Sequence, residues 1–258
     1  MNEVVGYEVV EGVARVTIRR PERRNAMNLE VFDGLHEAAG RAAADPQVGA
    51  VLVAGEGGTF SSGIDVAVFG DQVQDGVGEA FVARLQAAFT AYEDLDKPSV
   101  AAIEGYAYGA GIQLALACHL RAVAPGAKLA VKEADWGLVP DLGGTWRLPR
   151  LVGLGRATEL TLTARVVPAD EAVAIGLAEI RLDDDDPIGR AHELAARLAA
   201  GPGALRRVPR LLRENLQHCR DEALAAEARA QVACIAGPDF TEAVTARWQG
   251  RPPRFVGA

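Results

Sequence analysis

Apolar and polar residues alternate from Val4 to Val10 and again from Val13 to Arg19, across the pair Glu11-Gly12, which predicts a β-hairpin at the start of the chain. A polar loop, Pro21 to Asn28, follows, and Asn28 is placed to cap an amphipathic helix from Leu29 to Ala44. Val48 to Ala54 is a short β-branched run, the pattern of a buried strand, and Gly55-Glu-Gly-Gly58 ends it. A helical pattern spans Gly78 to Leu95. The stretch from Pro98 to Val123 then predicts a buried strand at Ser99 to Glu104, a turn carrying Gly105, Gly109 and Gly111, and a buried helix from Ile112 to Cys118. Strands alternating with helices imply right-handed crossovers and a largely parallel sheet.

After Pro125 the pattern shortens to an apolar run at Lys128 to Val131 and a loop from Lys132 to Thr145. From Trp146 onward it is nearly all helical. A helix start is expected at Pro168 to Glu171, an acidic loop at Asp183 to Asp186, and helices over Ile188 to Ala199, Ala204 to Gln217, Asp221 to Ala236 and Phe240 to Gln249. An α/β half is thus followed by a helical tail. With 49% apolar and 24% charged residues the composition is that of an ordinary globular protein. The net charge of -8 argues against a general nucleic-acid binder, which needs a basic face to neutralise phosphates. Three cysteines without CxxC spacing indicate neither a disulfide framework nor a zinc site. Residues Met1 to Glu8 lack a basic region followed by an apolar core, and no apolar run approaches about eighteen residues, so a cytoplasmic protein with no membrane segment is expected.

Two glycine-bearing turns carry the candidate chemistry: Thr59-Phe-Ser-Ser-Gly63-Ile64-Asp65 after the first buried strand, and Gly105 to Gly111 after the second. Either turn alone fits any strand-to-helix loop. Together they emerge at the carboxyl edge of one sheet, where open α/β sheets bind ligands. The first amides of a helix have no partner inside it and point outward at the positive end of its dipole. The N–H groups of Ile64 and Ala110 are therefore placed to grip one oxygen on which negative charge develops. Ser61 and Ser62 lack a nearby base, which weakens a nucleophile role. His36, His119, His192 and His218 show no ligand-like spacing, and Arg206, Arg207, Arg210 and Arg213 are most simply a solvated helix face.

The motifs resemble those of the crotonase superfamily, the enoyl-CoA hydratase and isomerase enzymes. Phe60-Ser-Ser-Gly-Ile-Asp65 is similar to F-x-A-G-x-D, Gly105-Tyr-Ala-Tyr-Gly-Ala-Gly-Ile-Gln-Leu-Ala115 to N-G-x-A-x-G-G-G-x-E-L-A, and Gly137-Leu-Val-Pro-Asp-Leu-Gly-Gly-Thr145 to G-x-x-P-x-x-G-G-T. Arg24-Asn-Ala-Met27 looks like the family's R-N-A-L, and Arg247 to Phe255 like its C-terminal ending. Five such motifs in order are specific. The resemblance implies an α/β spiral of ββα units, a core over residues 1–195 with the acyl-CoA site, and a C-terminal helical region over 196–258 that builds trimers, which often pair into hexamers.

The resemblance further implies an acyl-CoA thioester whose carbonyl is held by the N–H groups of Ile64 and Ala110, stabilising an enolate. Arg24 and Ala26 are then expected near CoA, and Ser62, Gly63, Asp65 and Gly109 join them as substrate- or CoA-binding positions. Arg206, Arg207, Arg210 and Arg213 gain a second use, as a contact to CoA phosphates of a neighbouring subunit. Family hydratases use two glutamates, and the matching positions here are Gln113 and Glu133. A glutamine orients a water but cannot take its proton, which counts against ordinary hydration. Glu133 keeps the position of the isomerase proton carrier. Asp141 adds a carboxylate, as in dienoyl-CoA isomerases, or caps the helix that follows it. A dehalogenase is a remote option, since that branch has tryptophan at the position of Glu133. A member that binds acyl-CoA or associates with RNA without catalysis is the alternative class. No metal or redox cofactor is expected, coenzyme A being part of the substrate.

Overall fold

The computed structural model describes residues 3–70, 78–182 and 185–257. Strands β1 (Val5–Val10) and β2 (Val13–Ile18) form the expected antiparallel hairpin, Val5 opposite Ile18 and Val10 opposite Val13. β2 lies parallel to β3 (Ala50–Gly55), and β3 parallel to β4 (Ser99–Ile103). A second sheet holds β5 (Tyr106–Tyr108), while β6 (Leu120–Val123) returns to the first beside β4. β7 (Lys128–Ala130) and β8 (Val167–Pro168) complete the second sheet, and β9 (Ile180–Arg181) the edge of the first.

Ten α-helices are described. α1 (Leu29–Ala44) is capped as expected, the Asn28 side chain accepting from the Val31 N–H at 3.1 Å. α2 (Glu79–Glu93) and α3 (Ala110–Ala117) follow β3 and β5. α4 (Gly144–Val152), α5 (Leu154–Thr163) and α6 (Ala169–Ala174) precede α7 (Pro187–Ala199). The tail comprises α8 (Ala204–Asn215), α9 (Arg220–Ala236) and α10 (Pro238–Trp248).

The main sheet is covered on both faces, which is why β3 and β4 are continuous apolar runs. Val51, Val53, Ala101 and Ile103 enter the larger core, with Phe32 and Leu35 of α1, Phe89 of α2 and all of α3's apolar side chains. Ala50, Leu52, Val100 and Ala102 point the other way, onto Ala191 and Ala195 of α7. The expected boundary between residues 195 and 196 falls inside α7, because that helix belongs to the sheet it covers.

Three departures from the sequence pattern bear on the site. The stretch after β4 is not one turn: Tyr106–Tyr108 pairs with β7, and α3 begins at Ala110, two residues before the expected start. β6, β8 and β9, of four, two and two residues, are too short to show a period. The helical stretch expected from Trp146 begins at Gly144 and is interrupted by β8 and β9. Of the expected acidic loop, Asp183 and Asp184 lie outside the described residues. Among the described residues no helix is long and apolar enough to cross a membrane.

Candidate active site

The chain leaves β3 and β4 on the same side of the sheet, and the two glycine turns are tied together there. The Ser61 N–H donates to the Tyr106 carbonyl at 2.8 Å, and the Tyr108 N–H to the Ser61 carbonyl at 3.0 Å. On its other side the Ser61–Asp65 segment runs against residues 24–27: Ser62 N–H donates to the Arg24 carbonyl, Met27 N–H to that of Gly63 and Asp65 N–H to that of Met27, all at 2.8–2.9 Å. Asn25 holds this junction. Fully buried, it donates from Nδ2 to the carbonyls of Glu56 and Thr59 and accepts from the Arg20 N–H at 2.9 Å. The Ser61 hydroxyl donates to the Asn25 carbonyl at 2.8 Å and accepts from the Gly63 N–H at 3.1 Å, which makes it a turn staple.

These constraints leave two amides free. Ala110 opens α3, so its N–H has no partner in the helix, and neither it nor the Ile64 N–H donates to any group among the described residues. A methyl group built on Gly63 would stand 3.7 Å from the Ala110 nitrogen, and one built on Gly109 would stand 4.0 Å from the Gly63 Cα and 3.4 Å from Glu133 Oε1. The two turns and the Glu133 carboxylate thus border one space. Gly109, at φ 51° and ψ -117°, holds a conformation that side-chain-bearing L-residues avoid.

Gln113 and Glu133 meet inside this space. Gln113 Nε2 donates to Glu133 Oε1 at 2.7 Å, while Gln113 Oε1 accepts the N–H groups of Leu142 at 2.8 Å and Gly144 at 2.9 Å. Two amide donors on the Gln113 oxygen fix the orientation of its side chain, and its NH₂ must face the carboxylate. A side chain on Gly144 would collide with Gln113 Oε1, so the glycine permits this approach. Glu133 Oε2 is buried and unpartnered. Burial pushes the Glu133 carboxyl above the usual carboxylate range; the hydrogen bond from Gln113 opposes the rise and the Asp141 charge adds to it.

The loop that orients Gln113 is itself held from α2. Arg147, buried, donates from Nη1 to the Leu142 carbonyl at 2.8 Å and from Nη2 to Glu93 at 2.6 Å, and Gln86 Nε2 donates to the Asp141 carbonyl at 2.6 Å. Replacing Arg147 by methionine leaves the Leu142 carbonyl and the Glu93 carboxylate without their partner. The expected result is a loss of about 3 kcal/mol of stability, read by thermal or urea unfolding, together with a lower kcat.

Asp141 does not cap a helix: α4 is capped by Gly143, with no side-chain hydrogen bond. Asp141 sits at the rim, its charge felt by Glu133, and its own carboxyl is raised by burial. Arg24 is exposed and makes no side-chain ion pair or hydrogen bond among the described residues, and Ala26 lies beside it with its carbonyl taken by Arg20. Ser62 is half-buried, with its hydroxyl 3.5 Å from the Arg23 carbonyl. The Asp65 carboxylate is spent on the Ala67 N–H at 3.2 Å and on Arg20 at 3.1 Å, which outweigh burial and hold it below the usual range. Sequence reasoning assigned no role to Asn25, Arg20 or Arg147. Asn25 lies inside the Arg24-Asn-Ala-Met27 motif, but a buried amide clamp has no local signature.

The family model described as enoyl-CoA hydratase/isomerase matches residues 8–257. A crotonyl-CoA hydratase of Syntrophomonas wolfei subsp. wolfei is 35% identical over 256 residues, covering 98% of each chain. The crystal structure of an enoyl-CoA hydratase from Bacillus anthracis superposes with a TM-score of 0.91 at 28% identity, over 99% of this chain and 100% of that one. A Thermobifida fusca YX protein solved in complex with CoA is similar at 37% identity and a TM-score of 0.81, over 90% of this chain and 93% of that one.

Proposed function

Because the chain belongs to the enoyl-CoA hydratase/isomerase family, we propose that it binds an acyl-CoA thioester with the carbonyl oxygen between the N–H groups of Ile64 and Ala110, and that Glu133 moves a proton between acyl carbons. On a 3-enoyl ester, Glu133 takes a proton from C2, and the electron pair is delocalised onto the thioester oxygen as a dienolate. The same carboxyl then returns the proton to C4, leaving the double bond between C2 and C3. The two amides stabilise the intermediate charge, and one such donor is worth about 3 kcal/mol of barrier. Exposed Arg24 suits the phosphates of CoA.

The observation that carries isomerisation over hydration is the hydrogen bond from Gln113 Nε2 to Glu133 Oε1. Hydration across the double bond requires a group that takes the proton of water and another that delivers one to carbon, and Gln113 can do neither. Its amide keeps one Glu133 oxygen occupied and leaves Oε2 as the base. A second reading, isomerisation of dienoyl esters with Asp141 as partner carboxylate, is supported by the reach of the Asp141 charge to Glu133. No metal or redox cofactor enters either reading. A cytoplasmic homotrimer or hexamer is part of the proposal, supported by the exposed apolar residues Leu212, Leu216, Leu224, Val232 and Ile235 on the tail helices.

Assays of 2-enoyl-, 3-enoyl- and dienoyl-CoA esters with the wild type and Gln113→Glu test the assignment. The expected result is at least a tenfold gain of hydration in the variant, with isomerisation reduced. Unchanged hydration in a folded variant contradicts the claim that the missing acid limits it. Tight binding of all three esters without turnover by the wild type supports the non-catalytic alternative.

A further inference from the structure

The arginine row of the tail lines a cleft of about 640 Å³ between α8, α9 and the Asp96–Lys97 corner, a volume in the range of small-molecule sites. Five cations border it: Lys97, Arg206, Arg207, Arg210 and Arg229. Against them stand two carboxylates, Asp96 and Glu214, and Glu214 is already paired to Arg210 at 2.7 Å. The guanidinium groups of Arg206, Arg207 and Arg229 make no hydrogen bond or ion pair among the described residues. Arg206 is half-buried, and its guanidinium lies beside the chain end, 3.2 Å from where a Cβ on Gly257 would stand.

Lys97 is a fixed charge in this cleft. Its Nζ donates to the carbonyls of Ala42 and Asp45 at 2.6 Å, where α1 ends. Burial first, and then the charge of Arg206, hold its ammonium below the usual lysine value. Like charges therefore face each other across a concave surface of a chain whose net charge is -8. Such an arrangement costs free energy unless an anion occupies it. Guanidinium forks match phosphate oxygens in pairs, and three uncompensated positive charges suit a diphosphate. The cleft is also remote from the thioester turns, since Lys97 precedes β4 and Gly105–Ala110 follows its other end.

We propose that this cleft is a second ligand site, built to hold a diphosphate-bearing anion. Calorimetric titration of the full-length protein at low salt tests it, with inorganic pyrophosphate in one arm and ADP in the other. One saturable site per chain is expected, with affinity lowered at least tenfold by Arg206→Gln combined with Arg229→Gln. Arg207→Gln, at an exposed position, is expected to weaken binding separately, and unfolding curves confirm that each variant is folded. ADP binding more tightly than pyrophosphate assigns the diphosphate to a nucleotide; equal affinities assign it to the free anion. Arg24→Gln is expected to leave the affinity unchanged. Absence of saturable binding overturns the proposal, as does binding lost in Arg24→Gln but kept in the tail variants.

Discussion

Replacing Glu133 by glutamine is expected to lower turnover of a 3-enoyl-CoA ester by about 10²- to 10⁴-fold, the usual contribution of a positioned acid/base. The variant keeps the local geometry, because a glutamine carbonyl at this position accepts the Gln113 amide as Glu133 Oε1 does. The KM is expected to change little and the melting temperature not to fall, since a buried carboxylate is removed and no hydrogen bond is lost. The pH profile gives the check. Glu133 acts as the base in its ionised form, and burial raises its pKa above the usual range. In the wild type kcat/KM is therefore present at higher pH and falls as pH drops through that raised value, and this acid limb is absent from the variant's residual activity. Retention of the limb in Glu133→Gln shifts the assignment to Asp141, whose carboxyl is also raised.

Gly109→Ala is expected to cost about 10²- to 10³-fold in kcat, the loss that follows removal of one oxyanion donor. The peptide between Gly109 and Ala110 aims the Ala110 N–H, and it takes that direction only because residue 109 adopts φ 51° and ψ -117°. An alanine there bears about 1–3 kcal/mol of backbone strain. Its methyl group would meet Glu133 Oε1 at 3.4 Å, an ordinary van der Waals contact, so the cost lies in the backbone. Relaxation turns the amide away from the site. The checks are kcat on the same ester and the unfolding midpoint: a fall in both is expected, whereas unchanged kcat in a destabilised protein removes Ala110 from the oxyanion pair.

Much of the architecture is legible in residue patterns. The hairpin, α1 with its Asn28 cap, and β3 and β4 follow from alternation, capping and β-branched runs, because each is a local decision. β5 is not, since Tyr106–Tyr108 becomes a strand only by pairing with β7, some twenty residues away in sequence, and β8 and β9 are too short for any period. The glycine turns mark where Ile64 and Ala110 lie, because a close backbone approach demands them. Resemblance supplied the pairing of Gln113 with Glu133, but not the direction of the Gln113 amide. That direction depends on the N–H groups of Leu142 and Gly144, in a loop that Arg147 holds through the Leu142 carbonyl while anchored on Glu93 of α2. Such a chain of long-range hydrogen bonds leaves no trace in spacing or composition.

In the proposed function, one carboxylate whose neighbour is an amide makes this protein a proton carrier between carbons. One measurement addresses it most directly: a single enzyme sample is given 3-enoyl-CoA and, separately, 2-enoyl-CoA, and the 2-enoyl and 3-hydroxyacyl products are quantified from initial rates. The kcat/KM for isomerisation is expected to exceed that for hydration by at least 10²-fold, the lower end of what a missing acid/base costs. Hydration equal to or faster than isomerisation contradicts it.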